Sequence, residues 1–330
     1  MSGTNLESQF KALRVGYHLE RFPSLATRLD RLRRVKAMLS EHEAAWCEAL
    51  SQDFGYRSAD QSSFADITTT IKAANHALKN LKFWMKAERR TPDLSLRMSG
   101  AKTYVESFPK GVVGIVSPWN FPINLALSPL ISVLAAGNRA FIKPSEITPA
   151  TSALLEKLIA QYFADDEVSV ACGDVDVAQA FVKLPFDHII YTGGETVAKY
   201  IMRDAAENLV PLTLELGGKS PVIVSSSADL KLAAKRVAFG KYFNAGQICI
   251  APDYLLIAQE RLDAFLTQLK AAVENTDSSQ GSTDSVSIVN DRHRQRLENL
   301  VAEGEGKGGK VVRFAGLNQS NYQLTVVIDP

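Results

Sequence analysis

Cysteine and histidine are both scarce in this chain of 330 residues. The cysteines number three, at positions 47, 172 and 249, which is too sparse and too odd a set for a disulfide framework. The five histidines, at 18, 42, 76, 188 and 293, show no metal-ligand spacing, and no pair of cysteines supports a zinc site. The sequence therefore predicts a protein of the reducing cytoplasm whose chemistry uses no metal.

An excess of one charge and long apolar runs are missing as well. Lysine and arginine number 37 and aspartate and glutamate 36, so the net charge is +1. That balance gives no electrostatic reason to expect nucleic acid or an anionic membrane as a partner. No apolar run approaches the roughly 20 residues that span a bilayer. The segment Met1–Phe22 is polar and mixed in charge, unlike a signal peptide. We therefore expect neither nucleic acid nor a membrane among the partners.

The chain is long enough for two domains, and helical patterns come first. A length of 330 residues exceeds what one hydrophobic core usually supports. Ser24 can cap an amphipathic helix whose apolar stripe runs over 25–50, and a second stripe runs over 64–85. The segment Lys102–Phe108 is then predicted to be extended, as one arm of a protruding hairpin.

From position 112 onward, short apolar strands alternate with helical patterns. The predicted strands are Val112–Val116, Ala140–Lys143, Val168–Ala171, His188–Tyr191 and Leu212–Leu214. The predicted helices between them are Ile123–Ala136, Pro149–Tyr162, Val175–Lys183 and Glu195–Glu207. Nearly continuous apolar strands in a βαβα rhythm predict an α/β fold with a doubly wound parallel sheet, and such sheets bind ligands at the carboxyl ends of their strands.

A second α/β unit is predicted to begin near Gly217. Its predicted strands are Pro221–Val224, Asp253–Ile257, Val311–Phe314 and Leu324–Ile328. Its predicted helices are Asp229–Phe243, Glu260–Val273 and about Asp291–Val301. The polar stretch Asn275–Ser287 is predicted to be a surface loop, and Gly304–Gly309 a flexible segment.

Three polar side chains in distinctive settings are suited to covalent attack on a carbonyl. Cys249 follows a Gly-Gln-Ile run, Glu215 precedes a Leu-Gly-Gly run, and Asn120 stands between two aromatic residues. A thiolate can add to a carbonyl carbon, an amide can donate to the oxyanion, and a carboxylate can activate water. Each also has a plainer interpretation taken alone: a buried cysteine, an exposed carboxylate at a strand end, and a turn residue.

A cofactor site is less visible, because the dinucleotide fingerprint G-x-G-x-x-G is absent from the sequence. Lys143 and Glu146 lie at the carboxyl end of a predicted strand, where a cation and a carboxylate suit the hydroxyl groups of a ribose. Gly193 and Gly194 follow the strand that ends at Tyr191. They would let the backbone approach a pyrophosphate or a nicotinamide closely, or would form an ordinary strand-to-helix turn.

Five motifs across the middle of the chain carry a resemblance to a known family. They are Gly114-Ile115-Val116-Ser117-Pro118-Trp119-Asn120-Phe121-Pro122, Ile142-Lys143-Pro144-Ser145-Glu146, Tyr191-Thr192-Gly193-Gly194, Glu215-Leu216-Gly217-Gly218-Lys219-Ser220-Pro221 and Gly246-Gln247-Ile248-Cys249-Ile250-Ala251-Pro252-Asp253-Tyr254. The region 104–258 that contains them resembles the NAD(P)-dependent aldehyde dehydrogenase superfamily. Within it, the chain is most similar to the coniferyl aldehyde branch and to the related fatty or aromatic aldehyde enzymes.

The resemblance implies an enzyme that oxidises an aldehyde to the carboxylic acid with NAD, or with NADP. The implied substrate is an aromatic aldehyde such as coniferyl aldehyde, or a medium-chain aliphatic one. Cys249 would be the nucleophile, Glu215 the general base and Asn120 the oxyanion donor. The implied cofactor contacts are Ser117, Pro118, Trp119, Lys143, Glu146, Gly193, Gly194 and Leu216. The carboxylate of Glu146 should repel a 2′-phosphate, which favours NAD.

The resemblance also bears on the organisation of the chain. It implies an NAD(P)-binding domain at 1–216, with an oligomerisation arm at about 98–110, and a catalytic domain at 217–330. Members of the family continue past Pro330 with a Glu-Ile-Phe-Gly-Pro run, so the chain is expected to be truncated at its C-terminus and weak or inactive as given. We expect a homodimer or homotetramer at full length.

Two other functions stay open at this point. One is an inactive dehydrogenase scaffold with a binding or structural role. The other is an acylating relative that hands the acyl group to coenzyme A instead of water, and the presence of Glu215 argues against it.

Overall fold

The computed structural model describes residues 3–280, 286–314 and 323–329. The α-helices are α1 Gly3–Leu19, α2 Leu25–Glu41, α3 Glu43–Asp53, α4 Ala59–Ser62, α5 Thr69–Trp84, α6 Leu94–Met98, α7 Asn124–Ala135, α8 Pro149–Tyr162, α9 Val175–Val182, α10 Glu195–Ala206, α11 Leu230–Tyr242, α12 Gln259–Gln280 and α13 Asp291–Gly306. The strands are β1 Glu88–Arg90, β2 Thr103–Val105, β3 Val112–Val116, β4 Arg139–Lys143, β5 Val168–Val170, β6 His188–Gly193, β7 Leu212–Leu216, β8 Ser220–Val224, β9 Pro252–Ile257, β10 Lys310–Phe314 and β11 Leu324–Ile328. A π-helical turn covers Ser63–Thr68, and a short 3₁₀ turn covers Phe243–Gly246.

The described chain forms two compact units. The first unit consists of Met1–Glu43, Ala65–Glu146 and Ser152–Glu215. The second consists of Ala44–Phe64, Ile147–Thr151 and Leu216–Pro330. Compactness does not assign a role to either unit, so the functional domains 1–216 and 217–330 stay a prediction.

A five-stranded sheet of order β5-β4-β3-β6-β7 forms the centre of the first unit. β3 pairs in parallel with β4 on one side and with β6 on the other, and β4 pairs in parallel with β5. All five residues of β4 are buried, as expected for a strand covered by helices on both faces. The predicted α/β fold with a doubly wound parallel sheet is confirmed.

The order of these strands creates a switch point beside β3. The chain runs from β3 outward through β4 to β5, and then returns to the other side of β3 to form β6 and β7. The connections that leave the carboxyl ends of β3 and β6 therefore run in opposite directions, towards β4 and β7, which opens a crevice at the carboxyl ends of these two strands. Open α/β sheets bind their ligands in such a crevice.

Aromatic packing fills one face of this sheet. The rings of Phe141 and Phe186 both contact that of Phe181, each with a centroid separation of 4.9 Å. Phe186 also lies against the middle of β3, where a Cβ added to Gly114 would stand 3.1 Å from the ring. The glycine at the centre of the β3 motif therefore makes room for a core phenylalanine.

The N-terminal helical stripe is divided between two helices, contrary to the prediction of one. Ser24 caps α2 as predicted, with its Oγ accepting the N–H of Thr27 at 3.1 Å. α2 ends at Glu41, and His42 has non-helical dihedral angles, with φ −119° and ψ 20°. A break of one residue leaves the apolar periodicity almost unchanged, which is why the stripe continues over both helices.

The predicted extended arm is a two-stranded antiparallel ribbon. β1 pairs with β2, and Arg89 lies opposite Tyr104. All six strand residues are exposed. The short helix α6 lies between the two strands in sequence, and its residues are exposed too.

The second unit contains the parallel pair β8–β9 and the antiparallel pair β10–β11. Its core includes Phe265, Leu269 and Val273 of α12 together with Ala234 and Ala238 of α11. Both small residues are 0% exposed, so alanine lets α11 and α12 approach closely.

Two predictions for the second unit are wrong. α12 continues to Gln280, so the first part of the proposed loop Asn275–Ser287 is helical, while 281–285 lies outside the described residues. α13 continues to Gly306, so the proposed flexible segment Gly304–Gly309 is helical in its first part. Gly304 is buried there, and packing offsets the low helix propensity of glycine.

Candidate active site

The crevice beside β3 brings together two of the sequence motifs. Ser117, Pro118, Trp119 and Asn120 follow directly after the end of β3, and Gly193 and Gly194 lie at the end of the neighbouring β6. The backbone N–H of Ser117 donates to the carbonyl of Lys143 at 3.1 Å, which ties the start of this loop to the end of β4. The Oγ of Ser117 is buried and has no hydrogen-bond partner within the described residues.

Lys143 and Glu146 form the predicted pair at the end of β4. The side chain of Lys143 is 2% exposed, and its Nζ donates to the carbonyl of Pro144 at 2.7 Å. The same Nζ lies 3.5 Å from the Glu146 carboxylate, which is 41% exposed. Burial lowers the pKa of Lys143, and the nearby Glu146 carboxylate opposes that change. The pair therefore presents a fixed ammonium group beside a carboxylate that remains accessible.

The two glycines after Tyr191 serve different purposes. A Cβ at Gly193 would stand 2.2 Å from the Tyr191 hydroxyl, so this glycine makes room for the tyrosine ring. The Tyr191 hydroxyl donates to the carbonyl of Gly194 at 3.0 Å and fixes the turn into α10. Gly194 is the N-cap residue of α10. No atom lies within 4 Å of a Cβ built at Gly194, so the space beside this residue is open. The role of Tyr191 has no signal in the sequence.

The loop that carries Asn120 is fixed at its far end by a buried carboxylate. Oδ1 of Asp66 accepts the N–H of Ile123 at 3.1 Å and the N–H of Asn124 at 2.9 Å, at the start of α7. Asp66 is 0% exposed and lies in the π-helical turn. The side-chain amide of Asn124 donates to the hydroxyls of Thr69 and Thr70, each at 2.9 Å. Sequence reasoning missed Asp66, because a cap contributed by a distant segment leaves no local pattern.

Cys249 lies exposed at the end of a tightly bonded loop in the second unit. The side chain of Gln247 connects this loop to a neighbouring segment. Its Nε2 donates to the carbonyls of Asn244 at 3.0 Å and Ser287 at 3.1 Å, and its Oε1 accepts the N–H of Val289 at 3.0 Å. The loop that carries the thiol is thus fixed by side-chain bonds to backbone groups.

The run after Glu215 passes close to the backbone of Cys249. A Cβ at Gly218 would stand 2.7 Å from the Cys249 carbonyl oxygen, so only glycine fits there without a shift of the backbone. Glu215 and Leu216 end β7 and are both exposed. Glu215 and Asn120 belong to the first unit and Cys249 to the second, so their roles stay a prediction.

The other two cysteines differ from Cys249 in their surroundings. The thiol of Cys172 donates to the carbonyl of Ser152 at 3.3 Å, and burial raises its pKa to about 12. The thiol of Cys47 donates to the carbonyl of Ala59 at 3.7 Å. Both are partly buried, whereas Cys249 is exposed. A thiolate is the reactive form, so Cys172 is unsuited to nucleophilic attack.

The described residues contain neither a cluster of metal-binding side chains nor a helix suited to crossing a membrane. Within the described ranges, no three side chains of metal-binding type come together. Over the same part of the chain, no helix is both long enough and apolar enough to cross a bilayer.

Comparison with known proteins assigns the family. The sequence model of the aldehyde dehydrogenase family matches residues 15–330. This chain belongs to the aldehyde dehydrogenase family. It is 47% identical over 317 residues to a probable coniferyl aldehyde dehydrogenase of Caulobacter vibrioides, covering 93% of this chain and 65% of the relative. It is 48% identical over 299 residues to a coniferyl aldehyde dehydrogenase of a Pseudomonas species, covering 90% of this chain and 61% of the relative.

Solved aldehyde dehydrogenase structures agree with the fold. The substrate-bound state of Staphylococcus aureus AldH superposes with a TM-score of 0.90 at 34% identity, over 98% of this chain and 70% of that one. An aldehyde dehydrogenase of Mycobacterium tuberculosis complexed with NAD+ superposes with a TM-score of 0.86 at 25% identity, over 100% of this chain and 69% of that one. The chain spans 61–65% of the length of the two coniferyl aldehyde relatives.

Proposed function

We propose that this chain carries the nucleophile of an NAD(P)-dependent dehydrogenase that oxidises an aldehyde to the carboxylic acid. Coniferyl aldehyde or a related aromatic aldehyde is the proposed substrate, and medium-chain aliphatic aldehydes come next. The supporting observation is the exposed Cys249 thiol on a loop that Gln247 fixes through three side-chain hydrogen bonds. The names of the Caulobacter and Pseudomonas relatives support the substrate.

The residues at the crevice fit a dinucleotide. The buried Ser117 hydroxyl has no hydrogen-bond partner within the described residues, and the Lys143–Glu146 pair offers a donor and an acceptor for ribose hydroxyls. NAD or NADP, when bound, supplies the hydride acceptor. The residues that would hold the dinucleotide are Ser117, Pro118, Trp119, Lys143, Glu146, Gly193, Gly194 and Leu216. The exposed Glu146 carboxylate favours NAD, and the Mycobacterium relative was solved with NAD+.

The chain's own residues would act in sequence on the substrate. The Cys249 thiolate forms a bond to the carbonyl carbon, and the Asn120 amide and the Cys249 N–H donate to the oxyanion. Once the substrate carbon has lost its hydride, the acyl group remains on Cys249 as a thioester. Glu215 removes a proton from water, which attacks the thioester and releases the acid and the thiolate.

A set of three variants tests this proposal. The measurement is NADH formation with coniferyl aldehyde under steady-state and single-turnover conditions. Cys249→Ser should abolish oxidation, because an alkoxide is not available at neutral pH. Glu215→Gln should allow one turnover and then stall. Cys172→Ser is the matched control and should leave the rate unchanged. Full activity of the Cys249→Ser variant contradicts the proposal, and no activity in any form favours an inactive scaffold.

We also propose that the protein is a cytoplasmic homodimer or homotetramer that associates through the β1–β2 ribbon. The supporting observation is a set of exposed apolar side chains in and next to the ribbon segment. Leu94 is 72% exposed, Met98 82% and Phe108 62%. Apolar side chains that are exposed together on one segment are a common feature of protein–protein interfaces. Light scattering of the purified protein measures the mass, and Met98→Glu should lower it. An unchanged mass in that variant contradicts the proposed interface.

A further inference from the structure

The backbone just before Cys249 adopts a conformation that needs support. Asn244 has φ 50° and Ala245 has φ 53°, and Gly246 follows with φ 71°. Glycine and asparagine tolerate this left-handed region, but alanine does so at a cost. Such residues persist where surrounding contacts hold them in place. The turn therefore depends on bonds from outside its own sequence.

Gln61 supplies one such bond. Its Oε1 accepts the N–H of Asn244 at 2.9 Å across 183 residues of sequence. Gln61 is 8% exposed and Asn244 is 0% exposed, so water cannot readily replace this bond. The backbone of Gln61 is itself fixed, because its backbone N–H donates to the Oγ of Ser58, the N-cap residue of α4, at 3.1 Å.

The backbone carbonyl and the backbone N–H of Asn244 bond to different side chains. Its carbonyl accepts from the side chain of Gln247 at 3.0 Å, within the same loop. Its N–H is held by Gln61, which lies on α4. Loss of the Gln61 acceptor would remove a buried hydrogen bond at the first left-handed residue, and a rotation of that peptide would become less costly.

We propose that Gln61 is a positioning residue for the nucleophile. By holding the Asn244 N–H, it fixes the left-handed turn and thereby the direction of the Cys249 thiol and of the Cys249 N–H. This inference rests on the proposed role of Cys249. Gln61 acts through the turn and contacts no reacting atom.

The test is acylation by p-nitrophenyl acetate, which needs no cofactor. The thiolate bonds to the acyl carbon, the bond to oxygen breaks, and p-nitrophenolate leaves with the electron pair, so no oxidant is required. The burst of p-nitrophenolate gives the rate, and peptide mass spectrometry locates the acetyl group. Gln61→Met, of similar volume without an acceptor at that position, should slow acylation of Cys249 about ten- to hundred-fold.

Matched variants separate positioning from packing. Gln61→Glu keeps an oxygen acceptor and should restore most of the rate. Gln52→Met makes the same replacement at an exposed position of the second unit and should leave the rate unchanged. Thermal unfolding verifies that each variant folds. If Gln61→Met does not fold, Gln61→Asn replaces it, because the shorter amide cannot reach the Asn244 N–H.

Each outcome decides a different point. A wild-type rate in Gln61→Met overturns the positioning role and leaves the proposed function intact. Equal slowing in Gln61→Met and Gln61→Glu also overturns it, because the effect would then come from packing alone. A wild-type protein that is not acylated at Cys249 overturns the proposed function, and the positioning role with it.

Discussion

Replacement of Glu167 should remove a large part of the stability of the first unit. Its carboxylate accepts from Arg31 Nε at 2.8 Å and from Arg34 at 2.7 and 3.0 Å. The side chain of Arg31 is 2% exposed and that of Glu167 is 15% exposed, so water screens these ion pairs poorly. Glu167→Gln would leave two guanidinium groups facing a neutral amide.

The magnitude follows from the pKa of Glu167. Burial alone would raise this pKa, but the hydrogen bonds and charges of Arg34 and Arg31 outweigh burial and lower it from 4.5 to about 2. Since one pKa unit corresponds to about 1.4 kcal/mol, the ionised carboxylate contributes roughly 3 kcal/mol. A lowered pKa means that this contribution is present above about pH 4.5 and is lost as the pH falls toward 2.

Urea unfolding followed by tryptophan fluorescence measures the effect. At neutral pH, Glu167→Gln should lower the free energy of unfolding by roughly 3 kcal/mol. As the pH falls below 4.5, the wild type should lose stability faster than the variant, since the variant lacks this carboxylate. The control is Glu195→Gln, which removes an exposed carboxylate paired with Lys199 on α10. A variant that differs from the wild type by less than the experimental error refutes the reasoning.

Two further substitutions test the loops that carry the site. Gly218→Ala should slow acylation of Cys249 by about ten-fold, because the new Cβ would meet the Cys249 carbonyl at 2.7 Å, whereas Gly217→Ala meets nothing within 4 Å and should not. Asp66→Ala should lower the free energy of unfolding by about 1–2 kcal/mol through loss of the cap on α7, measured by urea unfolding against the exposed control Asp60→Ala. Equal effects within either pair would contradict the explanation.

The sequence predicted the first unit better than the second for a physical reason. The β3 strand was predicted at its observed bounds, because a strand buried on both faces is apolar at every position. The ends of α12 and α13 were misplaced, because polar residues and glycine lower helix propensity without preventing a helix that packs well.

At the candidate site, contacts between residues close in sequence can be predicted, whereas contacts between distant segments cannot. The Lys143–Glu146 pair is three residues apart, so its contact could be predicted. Gln61 and Asp66 contact segments far away in sequence, and no local pattern marks either one. The residues beside Cys249 predict its role, but they do not predict the left-handed turn before it, since Asn244 and Ala245 adopt that conformation only in their folded surroundings.

The contact between Tyr191 and Gly193 has a consequence for the design of variant libraries of this chain. Because the hydroxyl occupies the space where a side chain at position 193 would begin, the two codons cannot be randomised independently. A bulkier residue at 193 will survive selection only alongside a much smaller one at 191. The exchange would then also release the backbone carbonyl at 194 from its present donor.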